Sequence, residues 1–218
     1  MEPCSHPRVF SRLDEIVDPD HTALVVIDVQ NDFVHPKGFT GLAGVPIEPI
    51  LAAVAGINLA ISLCRAQGVP VFFVQEVVAA GTVLPPYLTR CGSLEACPAQ
   101  EGTWGAEWFE GLDKPAPGEA VFQKPSYDGF QDTQLNVALR SRGIRTCLYV
   151  GIASNVCVEA TALHGFLLGY YTVLLENGTA GDSAAGHASL LAKWATFYGP
   201  VTTTGAVRDL WSATRAMS

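Results

Sequence analysis

Short, almost wholly apolar runs recur along this chain, with helix-like segments between them. Thr22–Ile27, Val69–Val74 and Thr146–Val150 are apolar nearly throughout instead of alternating between apolar and polar residues. Strands with this pattern are buried on both faces, and strands that alternate with helices form parallel sheets whose two faces the helices cover. The sequence therefore predicts an α/β fold with a mostly parallel central sheet and helices on each side.

Other segments extend the same pattern. Further short strands are predicted at residues 119–122, 171–175 and 200–204, and helices at residues 46–67, 133–142, 155–168 and 183–198. Gly68 and Gly143 follow two of these helices, at the position where glycine commonly ends a helix. We assign residues 1–18 to an N-terminal extension and residues 19–218 to one domain. Val77–Pro117 is rich in glycine, proline and aromatic residues and is too long for a simple connection, so it is predicted to form a lid or a pocket wall.

The charge balance excludes several classes of protein. The 218 residues include 13 Lys and Arg against 21 Asp and Glu, for a formal net charge of −8, whereas nucleic-acid binders normally carry a basic patch. The sequence has neither an uninterrupted apolar run of about 18 residues nor a signal peptide. Its six cysteines include no C-x-x-C pair. We expect a cytoplasmic protein with reduced thiols that acts on a small molecule, without nucleic-acid or membrane partners.

Three polar residues follow predicted strands. Asp28 comes directly after the first strand, Lys124 after the strand at 119–122, and Cys157 soon after Thr146–Val150. In parallel sheets the carboxyl ends of the strands meet at one edge, where binding and catalysis are concentrated. Taken singly, Asp28 is equally well explained as a turn-capping residue and Lys124 as a solvated surface lysine. Together, the lysine would hold the carboxylate ionised.

Cys157 is the candidate nucleophile. It falls in the first turn of a predicted helix whose N-cap is expected to be Ser154 or Asn155. Free N–H groups and the helix dipole at such a position lower the pKa of a thiol and offer donors to an oxyanion. The alternative is a buried, inert thiol, which is the commoner role of cysteine.

The remaining motifs argue against a metal or a cofactor. The five histidines are scattered, without the H-x-x-x-H or D-x-H spacing of a metal site. His164, on the helix after Cys157, is interpreted as a packing or capping residue, with a Cys157–His164 dyad as the alternative. The sequence has no G-x-G-x-x-G, Walker or G-x-S-x-G motif. We therefore expect no metal and no cofactor.

Three segments together resemble the isochorismatase-like cysteine hydrolases. They are Ile27–Phe33, Gln123–Tyr127 and Gly151–Glu159, of which the last is the most specific. The match extends from about residue 20 to residue 205, in the order and spacing of the family. The resemblance implies a three-layer α/β/α sandwich with a mostly parallel central sheet.

The resemblance also implies a catalytic triad of Asp28, Lys124 and Cys157. On this template Asp28 takes the proton of the thiol, and Cys157 attacks a carbonyl carbon. An amine or ammonia leaves, and water then hydrolyses the acyl-enzyme, while Lys124 helps to hold the charge distribution. The family has a cis peptide bond before the residue equivalent to Ala153, and the N–H groups of Ala153 and Cys157 are expected to form the oxyanion hole.

Departures from the family pattern narrow the substrate. Isochorismatases proper lack the nucleophilic cysteine, so Cys157 indicates amide chemistry. Nicotinamidases carry a metal-binding Asp-x-His cluster after the second strand, where Val74–Ala80 has no histidine. The resemblance is closest to the ureidoacrylate amidohydrolases, through the segments Lys124–Phe130, Leu139–Arg145, Gly151–Glu159, Gly165–Phe166 and Val173–Asn177. The predicted enzyme is a cysteine amidohydrolase that cleaves a C–N bond of a small linear ureido or carbamoyl compound.

Glu76 is the departure that bears most on the substrate. Gln-Asn is expected after the second strand, but this chain has Gln75 followed by Glu76. A carboxylate there would accept hydrogen bonds from urea-type N–H groups and would repel an anionic tail. It keeps biuret, triuret and N-carbamoyl amino acids as candidate substrates beside ureidoacrylate. The predicted substrate-binding residues are Asn31, Phe33, Gln75, Glu76, Trp104, Trp108 and Tyr127, with packing of the long loop as the alternative for the tryptophans.

Two alternative functions stay open. One is another amidase of the family, of the nicotinamidase, maleamate or N-carbamoylsarcosine type. The other is a non-catalytic binding protein on the same fold, against which the three intact triad positions argue. The resemblance also implies a homodimer or a homotetramer, and the apolar segment Phe166–Tyr171 serves either an interface or the core.

Overall fold

A computed structural model of the chain describes residues 9–217. Within this range six strands form a single sheet in the order β3-β2-β1-β4-β5-β6, and all neighbouring strands are parallel. The strands are β1 (Thr22–Ile27), β2 (Val71–Glu76), β3 (Ala120–Lys124), β4 (Thr146–Ile152), β5 (Tyr171–Ala180) and β6 (Val201–Thr202). The prediction of a parallel central sheet is confirmed.

Helices connect these strands along the chain. They are α1 (Leu13–Ile16), α2 (Asn31–Val34), α3 (Phe39–Leu42), α4 (Glu48–Gln67), α5 (Pro85–Cys91), α6 (Leu135–Ser141), α7 (Glu159–Leu167), α8 (Ala184–Phe197) and α9 (Thr204–Met217). Two short 3₁₀ turns span Pro19–His21 and Trp104–Ala106, and a π-helical turn spans Ser154–Val158. The π-helical turn lies directly before α7.

Each face of the sheet contributes to a separate apolar core, and β1 shows why. Leu24 and Val26 face a core that α4 and α9 cover, whereas Val25 and Ile27 face a second core beneath α6, α7 and α8. All six residues of β1 are buried, as expected for a strand covered on both sides. The three-layer α/β/α sandwich is confirmed.

Helix α4 is long and apolar enough to cross a membrane, judged by length and composition alone. In this fold its apolar side instead packs under the sheet, where Ile50, Ile57 and Ile61 lie almost wholly buried in the first core. Gly68 ends the helix with a φ of 73°, the left-handed conformation that favours glycine. The predicted end of this helix is thus confirmed.

Helix α9, which follows β6, was not predicted from the sequence. Its Trp211 is 2% exposed and donates a hydrogen bond from Nε1 to the carbonyl oxygen of Val17 at 2.6 Å. That carbonyl belongs to the segment assigned to the N-terminal extension. Residues 9–18 of this segment therefore pack onto the domain, with Phe10 and Val17 buried, and residues 1–8 lie outside the described residues.

Gly151 allows β4 to approach β1 closely. The two strands pair in register, with Ile27 opposite Gly151. A Cβ atom at residue 151 would lie 2.2 Å from the carbonyl oxygen of Ile27, and the φ of 136° disfavours other residues. The carboxyl ends of β1 and β4 are thereby brought together, and both lead into candidate catalytic residues.

Candidate active site

The fold brings Asp28, Lys124 and Cys157 together at the carboxyl edge of the sheet. Asp28 follows β1, Lys124 ends β3, and Cys157 lies in the π-helical turn after β4. Lys124 Nζ is 2.8 Å from Asp28 Oδ2, and the Cys157 sulfur is within 4.8 Å of a carboxylate oxygen of Asp28. Their exposed fractions are 0%, 1% and 5%. The arrangement is a buried ion pair beside a buried thiol.

Asp28 is held by the backbone of the neighbouring strand. Its N–H donates to the carbonyl oxygen of Val74, and its Oδ1 accepts a hydrogen bond from the Glu76 N–H at 2.9 Å. Its φ of 52° is left-handed, which is uncommon for a residue with a side chain. The chain turns at this residue, and the carboxylate lies inside the sheet edge.

Lys124 uses its ammonium group on three acceptors. Besides Asp28, Nζ contacts Glu76 Oε2 at 3.3 Å and donates to the carbonyl oxygen of Ser126 at 2.6 Å. Burial alone would lower the pKa of Lys124, but the negative charge of Asp28 and of its other neighbours outweighs burial and raises that pKa. The side chain is therefore a permanent cation rather than a solvated surface lysine.

Burial also governs the pKa values of Asp28 and Cys157. Burial raises the pKa of Asp28 to about 6, since it outweighs the nearby Lys124 ammonium, and the Glu76 charge adds to the increase. Burial likewise raises the pKa of the Cys157 thiol well above its ordinary value. The expectation of a thiol whose pKa the helix start lowers is wrong. At neutral pH Cys157 is a thiol beside an ionised carboxylate.

The turn that carries Cys157 differs from the expected helix start. The peptide bond between Ile152 and Ala153 is cis, as the resemblance implies. The carbonyl oxygen of Ala153 accepts hydrogen bonds from the N–H groups of Val156 and Val158, so Ala153 precedes the turn. The predicted caps at Ser154 and Asn155 are wrong.

The side chains of Ser154 and Asn155 instead contact the segment around α8. Ser154 Oγ lies 2.9 Å from His187 Nδ1, and Asn155 Nδ2 donates to Asp182 Oδ1 at 2.8 Å. These contacts fix the turn against the helix that follows β5. Ser154 and Asn155 are therefore held by residues on α8 and just before it, which are distant in the sequence. A local cap pattern does not reveal such contacts.

Glu76 lies inside the site and not only at its rim. It ends β2, is 1% exposed, and approaches the Cys157 sulfur with Oε2 at 3.8 Å. Its other oxygen, Oε1, accepts a hydrogen bond from the Tyr87 hydroxyl at 2.5 Å. Tyr87 belongs to α5 in the long segment, and no local pattern in the sequence singled it out.

The other predicted substrate-binding residues lie in different surroundings. Asn31 and Gln75 donate from their amides to the carbonyl oxygens of Trp104 and Ala106, so they hold the segment 77–117 in place. Phe33 and Trp108 pack against the first core. The ring of Tyr127 packs edge-on against Tyr87 at 5.2 Å, and Trp104 is 47% exposed beside His35.

The segment 77–117 forms a wall over the site. Gln30 donates to the carbonyl oxygens of Glu76 and Ala106, and the N–H of Ala99 donates to Asp32 Oδ2. These bonds join the segment to the chain just after β1. With Tyr87 pointing inward, the wall accounts for the low exposure of the side chains at this edge of the sheet.

Within residues 9–217, one group of side chains offers the ligand types of a metal site. Asp28, Glu76 and Cys157 offer ligand atoms that all lie within 4.8 Å of one another. The Lys124 ammonium contacts both carboxylates, so a cation of the protein already occupies this position. His164 lies elsewhere, with Nδ1 2.5 Å from Asp128 Oδ2, and this pairing replaces the alternative of a Cys157–His164 dyad.

A family model for the isochorismatase domain matches residues 22–206, which is most of the chain. The chain therefore belongs to the isochorismatase family and is an isochorismatase-like hydrolase.

Several solved structures are similar along most of their length. A cysteine hydrolase from Pseudomonas syringae pv. phaseolicola 1448A superposes with a TM-score of 0.81 at 26% identity, covering 96% of this chain and 99% of that chain. N-carbamoylsarcosine amidase from Thermoplasma acidophilum gives 0.69 at 25% identity, with coverage of 84% and 96%. A nicotinamidase from Bacillus subtilis gives 0.70 at 23% identity, with coverage of 83% and 98%, and shares the fold. The prediction of a hydrolase of non-peptide C–N bonds is confirmed at the level of the family.

Proposed function

We propose that this chain is a cysteine amidohydrolase that cleaves a C–N bond of a small linear ureido or carbamoyl compound. The observation that carries the proposal is the buried ion pair of Lys124 and Asp28, 2.8 Å apart, beside the Cys157 thiol. A thiol that burial keeps protonated needs an adjacent base before it can attack. Asp28, with a pKa of about 6, is ionised at neutral pH and still basic enough to accept a proton.

The first half-reaction transfers the acyl group to sulfur. The Cys157 sulfur attacks the carbonyl carbon while its proton passes to Asp28. The N–H groups of Ala153 and Cys157 donate to the oxygen that gains negative charge. The C–N bond then breaks as Asp28 gives the proton to the leaving nitrogen, so ammonia or an amine departs and a thioester remains.

The second half-reaction restores the enzyme. Water attacks the thioester carbon, Asp28 takes a proton from the water, and the proton then returns to the Cys157 sulfur as the C–S bond breaks. The product is a carboxylic or carbamic acid. Lys124 stays protonated in both halves because its pKa is raised, and it keeps Asp28 oriented towards the reacting atoms.

The charge of the site supports neutral ureides as the substrate class. Two buried carboxylates, Asp28 and Glu76, face the single ammonium of Lys124. A substrate with a carboxylate close to the scissile bond would add a further negative charge to a poorly screened site. Biuret or triuret is therefore favoured over ureidoacrylate and N-carbamoyl amino acids. An amidase of the N-carbamoylsarcosine type is the second candidate, which the similarity to the Thermoplasma acidophilum enzyme favours.

The experiment is ammonia release from a panel of biuret, triuret, ureidoacrylate, N-carbamoyl amino acids, nicotinamide and maleamate. Cys157→Ala should abolish turnover of every substrate that the wild type cleaves. Cys64→Ala, which removes a buried thiol on α4, is the matched control and should retain activity. Turnover by Cys157→Ala at the wild-type rate would exclude the nucleophile, and a panel without any turnover would exclude the substrate class.

We also propose that the chain assembles as a homodimer or a homotetramer. Phe166 and Leu167 on α7 and Phe197 on α8 are 39%, 74% and 69% exposed, and the Tyr198 ring packs against both phenylalanines. Exposed apolar side chains that cluster in this way are typical of interaction surfaces. Light scattering coupled to size exclusion tests the proposal, and a mass equal to one chain at micromolar concentration would exclude it.

A further inference from the structure

Glu76 is a buried charged group that the two half-reactions above do not use. It lies at the carboxyl end of β2, between Asp28 after β1 and Lys124 at the end of β3. Oε2 is 3.3 Å from Lys124 Nζ and 3.8 Å from the Cys157 sulfur, while Oε1 accepts the Tyr87 hydroxyl at 2.5 Å. These contacts place the negative charge of Glu76 next to Cys157 and Lys124, and close to Asp28.

This cluster contains more acidic than basic side chains. Asp28 and Glu76 are two wholly buried carboxylates, and Lys124 is one ammonium that contacts both. One cation compensates only one carboxylate, and two carboxylates in a shared buried site resist being ionised together. One of them must therefore take up a proton more readily than an ordinary carboxylate.

The hydrogen-bond donors distinguish the two carboxylates. Glu76 receives the short hydrogen bond of the Tyr87 hydroxyl, which favours its ionised form. Asp28 receives the N–H of Glu76 at 2.9 Å, but that N–H is shared with Gln30 Oε1, also at 2.9 Å. Glu76 thus has a hydroxyl donor of its own, and Asp28 is the carboxylate whose pKa burial and the Glu76 charge raise, although Lys124 Nζ lies nearer to Asp28 than to Glu76.

We propose that Glu76, oriented by Tyr87, is a positioning residue that acts through Asp28, because its fixed negative charge keeps Asp28 able to accept the thiol proton near neutral pH. An aspartate paired with a lysine alone has a pKa below its usual range and is a weak base. The raised pKa of Asp28, to which the charge of Glu76 contributes, agrees with this assignment. The inference rests on the proposed function only in that Asp28 is the base for Cys157.

Several titratable or charged groups face Glu76 and Asp28 from the surrounding elements. They are Lys124 on β3, Cys157 in the π-helical turn, Tyr87, Arg90 and Cys91 on or at the end of α5, and Cys97 and Tyr127 in the adjoining loops. Thiols and phenols ordinarily stay neutral below about pH 8, and lysine and arginine stay charged. Among these groups Asp28, whose pKa burial raises to about 6, is the one whose change of charge the assay follows between pH 4 and 8.

The experiment measures the rate of alkylation of Cys157 by iodoacetamide from pH 4 to pH 9, with the modified peptide quantified by mass spectrometry. In the wild type the rate should rise with an apparent pKa near 6, that of Asp28. Glu76→Gln removes a charge at nearly constant shape and should move this rise to lower pH by about one to two pH units. Tyr87→Phe removes the donor that holds the negative charge on Glu76, so it weakens the same effect and should also move the rise to lower pH, by less than Glu76→Gln does.

Glu119→Gln is the matched control. Glu119 is a partly buried glutamate paired with Arg65 at 2.7 Å, and it directly precedes β3, at the end of that strand away from Lys124. Its substitution should leave the pH of the rise unchanged. If Glu76→Gln slows alkylation equally at every pH without moving the rise, Glu76 is merely structural and the inference fails.

Tyr87→Phe decides the question alone if Glu76→Gln does not fold, because an unmoved rise in that variant also overturns the inference. The alkylation assay needs no substrate, so it separates this inference from the proposed function. Shifts to lower pH in both variants support the positioning role even when no ureide is hydrolysed. Hydrolysis of a ureide with unmoved pH profiles supports the function and overturns the role of Glu76.

Discussion

Replacing Lys124 with methionine should destabilise the protein strongly, because it removes the cation from a buried cluster. Lys124 Nζ lies 2.8 Å from Asp28 and 3.3 Å from Glu76, and all three side chains are at most 1% exposed. Breaking a buried ion pair by removing one partner typically costs about 3–5 kcal/mol, since the remaining charge is uncompensated. For a chain of this length that corresponds to a decrease in Tm of roughly 6–20 °C.

The loss of stability should depend on pH in a defined direction. The pKa of Lys124 is raised, so in the wild type its contribution is complete at every pH below its unfolded value of about 10.4. Without the ammonium, the folded-state pKa of Asp28, already raised to about 6 by burial, lies further above its unfolded value of about 4. The stability of the variant then decreases as pH rises from about 4 through the folded-state pKa of Asp28. The variant should differ less from the wild type at pH 5 than at pH 8.

Urea unfolding at pH 5 and pH 8 measures this difference. Lys193→Met is the matched control, because Lys193 pairs with Glu159 at the surface with 41% of its side chain exposed, and such pairs contribute less than about 1 kcal/mol. Adding Asp28→Asn and Glu76→Gln to Lys124→Met removes the uncompensated charges and should restore most of the stability. A loss below 1 kcal/mol in Lys124→Met, or one equal at both pH values, would refute the argument.

Three further outcomes follow from the structure. In steady-state kinetics the acidic limb of the kcat/KM profile should have an apparent pKa near 6, since Asp28 must be ionised to act as base. A limb near pH 4 would exclude Asp28 as the base. Gly151→Ala should cost about 2–4 kcal/mol in urea unfolding, because its Cβ meets the Ile27 carbonyl oxygen at 2.2 Å; a neutral substitution would contradict the close approach of β1 and β4. Trp211→Ala should lower the free energy of unfolding by about 3–5 kcal/mol. Trp104 is half-exposed, so Trp104→Ala should change it by less than about 1 kcal/mol. Equal effects would show that α9 does not complete the core.

The fold was predictable from sequence because burial on both faces leaves a clear pattern. Strand β1 is apolar at successive positions, and both of its faces lie in a core. Helix α4 was predictable for a similar reason, since a long apolar run ends at Gly68. Helix α9 was missed although Val207, Leu210 and Trp211 have the i, i+3, i+4 spacing of a buried helix face, and the partner of Trp211, Val17, is far away in the sequence.

The candidate site was predictable only where a residue follows a strand. The sequence predicts that Asp28, Lys124 and Cys157 lie close together, because the carboxyl ends of parallel strands share an edge. Tyr87 lies in a segment of about 40 residues without regular periodicity, and a tertiary contact alone directs it to Glu76. The caps at Ser154 and Asn155 were wrong for the same reason, since His187 and Asp182 offer their side chains other partners.

The pKa of Cys157 differs in direction from the one that its position in the sequence predicts. A position at the start of a helix predicts a lowered thiol pKa, yet burial and two neighbouring carboxylates raise it. A resting thiolate in this cluster would add a third negative charge opposite one ammonium, so the site does not stabilise one. In the proposed mechanism, proton transfer to Asp28 therefore accompanies attack, when the negative charge passes from sulfur to the carbonyl oxygen and its N–H donors. A site built in this way activates its nucleophile only when an electrophilic carbon is in place.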